Sequence, residues 1–330
     1  TCNEKFQGEF EVTLEIPAGG PYRIDTSLET KSTVPDLTWL YRGDCVLHLG
    51  VGNLFIIAGQ SNSAGYSRDF CIDPPSMDVH LYRNRNKWDI ASHPMNESTF
   101  AGSLANEEMG VPGVSPYLAF GKTYGKMTGM PVGLIQTSLG GSPMERWNPK
   151  DGDLYLNMLD KIHQTGGKYA GVLWYQGCSD TNPGPAEKYL EHFREYVEAT
   201  RKELGYEIPF FTMQLNRQIN GINDECWGMV RDAQARAAKE IPGVSVLTTS
   251  NLSLCDGIHN TAQANVALGE KLAKQCAHVL NGKEEYQPPE LVKVERADEA
   301  ERKSFQLEGS GIWLKLTCDH VKNCFLVYSA

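Results

Sequence analysis

Three residues of this 330-residue chain have the types and spacing that catalysis requires: Ser61, Asp256 and His259. Ser61 follows the apolar run at residues 54–58 and then Gly59, so a short buried strand would deliver its hydroxyl into a tight turn. His259 can accept the proton of that hydroxyl, and Asp256 can bond the other imidazole nitrogen and hold one tautomer. The three residues therefore predict a Ser-His-Asp triad for hydrolytic acyl transfer.

An ester hydrolase also needs N–H donors where the carbonyl oxygen becomes charged. The candidates are the backbone N–H groups of Ser61 and of Gly140 or Gly141, and the side-chain amide of Gln176. Each donor of this kind typically stabilises the transition state by about 2.7–4 kcal/mol. Trp147 is equally compatible with stacking on a substrate and with a place in the core. The predicted substrate-binding residues are Gln60, Asn62, Trp147 and Gln214.

The order of apolar runs along the chain indicates how these residues come together. Five runs predict buried strands, at residues 54–58, 132–137, 171–175, 209–214 and 244–249. Apolar stripes at helical spacing lie between them, so the chain alternates strand and helix. This alternation predicts an α/β fold with a five-stranded parallel sheet and helices on both faces. Ligands bind beyond the carboxyl ends of such strands, and polar or glycine residues follow each of the five.

The two ends of the chain differ in texture from this central part. We expect a β-rich N-terminal segment over residues 1–52, a hydrolase domain over 53–281 and a small β-rich segment over 282–330. Pro288-Pro289 is typical of a linker, and residues 67–115 predict irregular loops that wall the site or carry a short hairpin. The flanking segments contain four predicted strands, at residues 10–16, 45–49, 311–317 and 325–328.

Four motifs occur in an order that resembles the SGNH hydrolase superfamily, and within it the sialate O-acetylesterase and acetylxylan esterase-like group. They are Ala58-Gly-Gln-Ser-Asn62, Gly140-Gly-Ser-Pro-Met-Glu-Arg-Trp147, Trp174-Tyr-Gln-Gly-Cys-Ser-Asp180 and Asp256-Gly-Ile-His259. The resemblance implies a flavodoxin-like domain, Ser61 as nucleophile with His259 and Asp256, and an oxyanion hole of the Ser61 N–H, the Gly140-Gly141 pair and Gln176. Pro17-Ala-Gly-Gly-Pro-Tyr22 is similar to the β segment that precedes this domain in sialate O-acetylesterases.

The chain departs from the family pattern at two positions near these motifs. Ser63 stands where the family usually has Met, and Cys178 stands where it usually has Glu. Neither position belongs to the triad, so we expect an effect on loop order or substrate preference rather than on the chemistry.

Composition and charge restrict the classes of molecule that this chain is expected to bind. A net charge of −10 argues against nucleic acid or an anionic membrane as partner, and no apolar run approaches the ~20 residues of a membrane span. The odd count of nine cysteines mildly favours a reducing compartment with free thiols, hence cytoplasmic over secreted, and the lack of a C-x-x-C pair argues against a zinc ribbon or thioredoxin motif. No group of residues has metal-ligand spacing, so the sequence predicts no metal and no other cofactor. The start at Thr1, without Met or a signal-like segment, suggests a processed or trimmed chain.

These observations predict a serine esterase that removes O-acetyl groups from carbohydrate, with acetylated hemicellulose as the first candidate substrate. Two alternatives stay open: a sialate O-acetylesterase, and a catalytically silent carbohydrate-binding protein on the same scaffold. The presence of Ser61, Asp256 and His259 together favours the enzyme. Neither the oligomeric state nor the acetylated position follows from the sequence.

Overall fold

The computed structural model describes residues 9–31, 38–97, 101–282, 290–304 and 314–319. The chain forms two compact units, Thr1–Ala273 and Lys274–Ala330. Within the described residues, no helix combines the length and the apolar character needed to cross a membrane. The domain boundaries after residues 52 and 281 stay predictions.

A seven-stranded sheet organises the first unit. The strands of this unit are β1 (Gly19–Lys31), β2 (Thr38–Val51), β3 (Asn53–Gly59), β4 (Val79–Tyr82), β5 (Trp88–Ile90), β6 (Val132–Gln136), β7 (Tyr169–Tyr175), β8 (Phe210–Met213) and β9 (Val244–Leu247). The order in the seven-stranded sheet is β5-β4-β6-β3-β7-β8-β9, and every neighbouring pair is parallel except β4 with β5.

The α/β fold with a mostly parallel sheet is confirmed, and all five predicted core strands are present as β3, β6, β7, β8 and β9. β4 and β5 form a short antiparallel hairpin, as one of the two alternatives for residues 67–115 predicted, and the structure adds that β4 joins the main sheet beside β6. β4 has four residues and β5 has three. Strands this short show too little apolar periodicity to be recognised in a sequence. The charged residue Arg83 follows β4 and is buried, so the sequence around β4 does not resemble a strand of the sheet core.

Helices cover the sheet where the apolar stripes predicted them. Phe55 of β3 packs edge-on against Phe120 and Tyr124 of the helix Tyr117–Thr128, with ring centroids 5.0 and 5.1 Å apart. Trp147 and Trp174 pack edge-on in a second aromatic cluster, 5.1 Å apart. The helices are α1 (Ser61–Ala64), α2 (Tyr117–Thr128), α3 (Asp153–Thr165), α4 (Pro185–Leu204), α5 (Asp224–Glu240) and α6 (Ala262–Asn281).

The N-terminal β segment is a hairpin in which β1 and β2 pair antiparallel. The strand predicted at residues 45–49 lies within β2 and is confirmed. The strand predicted at residues 10–16 is wrong, because this stretch has no regular structure and Phe10 and Val12 are largely exposed. Alternation of apolar and polar residues forms a strand only where a partner strand supplies hydrogen bonds, and the described residues offer none here.

The second unit contains β10 (Glu290–Arg296), α7 (Glu299–Ser304) and β11 (Leu314–Asp319), and its two strands pair antiparallel. The strand predicted at residues 311–317 is confirmed from Leu314 onward. Pro288-Pro289 and the strand predicted at residues 325–328 lie outside the described residues.

Candidate active site

Ser61 lies at the end of the central strand of the sheet. β3 has β6 on one side and β7 on the other, so the chain leaves its end at the point where the strand order reverses, the usual ligand site of such folds. Gly59 makes the turn with φ at +129°, and a Cβ there would lie 2.2 Å from the Tyr175 carbonyl oxygen. Only glycine fits this position. Ser61 follows as the first residue of α1.

The structure brings the three predicted triad residues into one line of hydrogen bonds. His259 Nε2 lies 2.9 Å from Ser61 Oγ, and His259 Nδ1 lies 2.7 Å from Asp256 Oδ2. His259 stands on the loop that follows β9, 198 residues from Ser61 in sequence. This is the geometry in which an imidazole can accept a serine proton while a carboxylate holds its orientation.

Asp256 is stabilised as a carboxylate by its own loop. Burial acts to raise its pKa, but the His259 ring and the N–H groups of Ile258 and His259 outweigh that effect, so the pKa lies below its ordinary value. The two N–H groups donate to Asp256 Oδ1 at 2.9 and 2.8 Å. Asp256 therefore serves as an ionised acceptor for the Nδ1 proton.

Tyr66 and Glu108 also belong to the site, although the sequence did not indicate them. The Tyr66 ring stacks on the His259 ring with centroids 5.5 Å apart, and its hydroxyl donates to Glu108 Oε1. Burial and the bond to Glu108 raise the pKa of Tyr66, which keeps its hydroxyl protonated. The one available signal was the position of Tyr66 shortly after Ser61.

The predicted oxyanion donors are not all free. The Gly140 N–H donates to Glu108 Oε2 at 2.9 Å, and the Gln176 amide donates to Ser142 O at 3.0 Å and to Asp180 Oδ2 at 2.5 Å. The N–H groups of Ser61 and Gly141 have no protein acceptor among the described residues. In this arrangement the backbone N–H groups of Ser61 and Gly141 are the predicted donors that remain available to a substrate oxygen.

Two of the predicted substrate-binding residues connect the loops of the site instead of facing solvent. Gln60 Oε1 accepts from the N–H groups of Gly177 and Ser179, which ties the end of β3 to the loop after β7. Asn62 Nδ2 donates to Ile258 O at 3.1 Å. Gln60 and Asn62 are each only 2% exposed. Both therefore position the site.

Trp147 and Gln214 are also engaged with the protein. Trp147 is completely buried, and its indole N–H donates to Ser142 Oγ at 3.2 Å, so in this structure it packs in the core; sugar stacking by Trp147 stays a prediction. Gln214 Nε2 donates to Arg231 O of α5 at 2.9 Å. A sugar contact by Gln214 stays a prediction.

Cys178, which replaces the usual Glu, has a thiol unsuited to nucleophilic attack. Burial raises its pKa to about 12, so the thiol stays protonated at neutral pH. In the described part of the chain, no three side chains of His, Cys, Asp or Glu form a group that could hold a metal ion.

A family model for carbohydrate esterases, described as sialic acid-specific acetylesterase, matches residues 51–278. The chain belongs to this family. The matched residues include β3, the glycine turn after β6 and the loop of Asp256 and His259, so the resemblance to carbohydrate acetylesterases of SGNH type is confirmed.

Relatives of this acetylesterase family show the same fold. A probable carbohydrate esterase of Arabidopsis thaliana is 26% identical over 245 residues, which cover 67% of this chain and 88% of that protein. An X-ray structure from Arabidopsis thaliana has a TM-score of 0.60 at 24% identity, covering 69% of this chain and 99% of that chain. A carbohydrate acetylesterase from Xanthomonas citri has a TM-score of 0.58 at 21% identity, covering 84% of this chain and 66% of that chain.

Proposed function

We propose that this chain is a serine esterase that removes O-acetyl groups from carbohydrates. The observation that carries the proposal is the hydrogen-bonded line from Ser61 Oγ through His259 to Asp256 at the end of the central strand. Membership of a carbohydrate acetylesterase family supports an acetylated carbohydrate as substrate.

In the first half-reaction, Ser61 Oγ attacks the acetyl carbonyl carbon and His259 Nε2 takes the hydroxyl proton. The carbonyl electron pair moves onto its oxygen, and the tetrahedral intermediate collapses as the bond to the sugar oxygen breaks. His259 returns its proton to that oxygen, which releases the sugar hydroxyl and leaves an acetyl group on Ser61. Water then attacks this acetyl-Ser61 by the same proton transfers and releases acetate.

The N–H groups of Ser61 and Gly141 are the proposed donors to the oxyanion. Both lack a protein acceptor among the described residues. The Gln176 amide and the Gly140 N–H already donate to other protein groups. We therefore assign the oxyanion hole to two of the donors suggested by the sequence, both of them backbone N–H groups. Backbone donors on tight turns need no reorganisation when the charge develops.

Two sugar classes compete as substrate: neutral acetylated hemicellulose and an anionic sugar such as O-acetylated sialic acid. The side chain of Arg68 favours the anionic class. It is 73% exposed, and its Nε lies 3.9 Å from Asp256 Oδ2, so a guanidinium stands beside the triad. Planar guanidinium groups bind carboxylates in two parallel hydrogen bonds.

The test measures acetate release from acetylated xylo-oligosaccharides and from O-acetylated sialic acid, with Ser61→Ala as the inactive control. We expect the wild type to release acetate from at least one of them and Ser61→Ala from neither. If Arg68 selects an anionic sugar, Arg68→Gln should raise KM for the sialic acid about tenfold and leave KM for the neutral sugar unchanged. Binding of either sugar without any acetate release would instead support the silent binding protein.

A further inference from the structure

Glu108 is a buried carboxylate beside the proposed hydrolytic site. It is 3% exposed and lies on the irregular segment between the 3-10 helix Leu104–Asn106 and α2. Its Oε2 accepts from the Gly140 N–H at 2.9 Å and from Asn96 Nδ2 at 2.7 Å, and its Oε1 accepts from the Tyr66 hydroxyl. A buried charge is tolerated only when donors satisfy it, so these bonds hold Glu108 in one place.

The Tyr66 bond connects Glu108 to the proposed base. The Tyr66 ring covers one face of the His259 imidazole, with ring centroids 5.5 Å apart and planes inclined by 29°. A ring anchored at its hydroxyl restrains sideways movement of the imidazole against which it packs. Glu108 therefore acts on His259 through Tyr66 without touching it.

The Gly140 bond connects Glu108 to the proposed oxyanion hole. The peptide between Leu139 and Gly140 is held at both ends, since its N–H donates to Glu108 and its carbonyl accepts from Ser142 Oγ at 2.9 Å. Gly141, whose N–H has no acceptor in the described chain, follows immediately. A Cβ on Gly140 would lie 2.5 Å from the Tyr66 hydroxyl oxygen and 2.9 Å from Glu108 Oε1, so turn, phenol and carboxylate are in direct contact.

Behind Glu108, a buried hydrogen-bond network reaches the side-chain nitrogen of Lys161. Asn96 Oδ1 accepts from Asn84 Nδ2, and Asn84 Oδ1 accepts from Lys161 Nζ at 3.0 Å. Lys161 is completely buried and also donates to Gln136 O of β6 at 2.6 Å. A carboxylate and a lysine thus share one polar network below the glycine turn, which favours a single arrangement of the groups above it.

We propose that Glu108 is a positioning residue for ester hydrolysis, because one carboxylate holds both the glycine turn with the Gly141 donor and the Tyr66 ring that packs on His259. The inference rests on the proposed function and adds to it a residue outside the four family motifs. Glu108 reaches no reacting atom, so its loss should slow the chemical step far more than it weakens substrate binding.

The experiment compares Glu108→Gln and Glu108→Ala with Glu107→Gln as matched control, since the Glu107 side chain makes none of these bonds. A serine-directed fluorophosphonate counts competent Ser61 sites, and kcat is expressed per counted site. We expect kcat to fall about 100-fold in Glu108→Ala, the size of losing one oxyanion donor, with KM changed less than threefold. Glu108→Gln keeps an oxygen for the Gly140 N–H, so we expect a loss of only about tenfold, and Glu107→Gln should match the wild type.

Tyr66→Phe removes the hydroxyl and keeps the ring. It therefore tests the bond of Glu108 to Tyr66 separately from its bond to the Gly140 N–H. We expect Tyr66→Phe combined with Glu108→Ala to lose less than the product of the two single losses, since both break the same bond. Independent, fully multiplicative losses would contradict a shared action.

Several results would overturn the proposal. One is a kcat per competent site in Glu108→Ala equal to wild type, even if its melting temperature falls, because Glu108 would then be purely structural. Another is an equal loss in Glu108→Gln and Glu108→Ala. The rate at which the fluorophosphonate labels Ser61 gives the same comparison without any sugar, so a wild type that labels Ser61 but releases no acetate would refute the proposed function alone. A wild type whose Ser61 is not labelled would refute both.

Discussion

Asn62 and Asn260 join the loop of the nucleophile to the loop of the base. The backbone N–H of Asn260, the residue after His259, donates at 3.0 Å to the side-chain oxygen of Asn62, the residue after Ser61. Asn62 completes the connection by donating to Ile258 O. Both asparagines are buried, at 2% and 0% exposure, so these bonds have no competition from bulk water.

Asn62→Ala should therefore lower activity, although the Asn62 side chain bonds to the His259 loop and not to the reacting hydroxyl. The substitution leaves the Asn260 N–H and the Ile258 carbonyl unpaired, which should lower the free energy of unfolding by about 1–3 kcal/mol. A looser His259 loop should also reduce kcat/KM about tenfold or more. Chemical denaturation and steady-state kinetics check the two effects, with Asn251→Ala on an exposed loop as control. Unchanged kcat/KM would show that the loop holds its position without Asn62.

Asp256 and His259 should behave as one catalytic unit. Asp256→Asn should leave KM roughly unchanged and reduce kcat by about 10³–10⁴, because the amide can no longer hold the Nδ1–H tautomer. His259→Ala should lose at least as much, and the double variant little more than the worse single variant. The measurement is a double-mutant cycle on kcat/KM for an acetylated sugar. Multiplicative losses would mean that the two residues act independently.

Lys161 should make the stability of the protein depend on pH. Burial lowers its pKa to about 7, whereas the pKa of a lysine in the unfolded chain is about 10.4. Between these values the folded chain binds fewer protons than the unfolded chain, so the contribution of Lys161 to stability is lowest below pH 7. It rises toward pH 10, by up to about 1.4 kcal/mol per pH unit.

The test compares the free energy of unfolding of wild type and Lys161→Met from pH 6 to pH 10. We expect the difference to shift in favour of wild type as the pH rises. Lys150→Met, which removes an exposed ammonium, is the matched control for general charge effects. A difference that stays constant across this range would contradict a buried lysine that titrates near neutral pH.

Trp147→Phe should affect stability and not sugar affinity. The indole is completely buried, packs on Trp174 and donates to Ser142 Oγ. Its replacement by Phe leaves a small cavity and removes the hydrogen bond to Ser142 Oγ. We expect the free energy of unfolding to fall by about 1–3 kcal/mol while KM for an acetylated oligosaccharide stays the same. A tenfold rise in KM at unchanged stability would instead support a direct contact between Trp147 and the sugar.

The sequence was sufficient for the parts of the site that rest on local structure. The run at residues 54–58 is apolar enough to be a central strand, and Gly59 is the residue type its sharp turn demands. Asp256 and His259 are three residues apart, a spacing at which one loop can place both side chains together. Strand–helix alternation then predicted that the carboxyl ends of the strands would meet, which brings His259 to Ser61.

Tertiary structure decided which polar groups remain free for a substrate. Gln176 and Gln60 carry amides suited to binding, yet Asp180, Ser142 and the N–H groups of the loop after β7 engage them. From the sequence, Trp147 was equally compatible with stacking on a sugar and with the core, and only the structure shows that it packs against Trp174. Burial and pairing of a side chain depend on residues distant in sequence, so no local pattern reports them.

The partnership of Glu108 with Tyr66 and Gly140 shows the same division most clearly. The residues are separated by 42 and 32 positions, and none of them lies in a periodic pattern that points to the other two. The sequence determined the reacting groups, because their types and local spacing are what the chemistry requires. The fold decided what holds them, because a buried carboxylate is placed by whichever donors the packed chain brings to it.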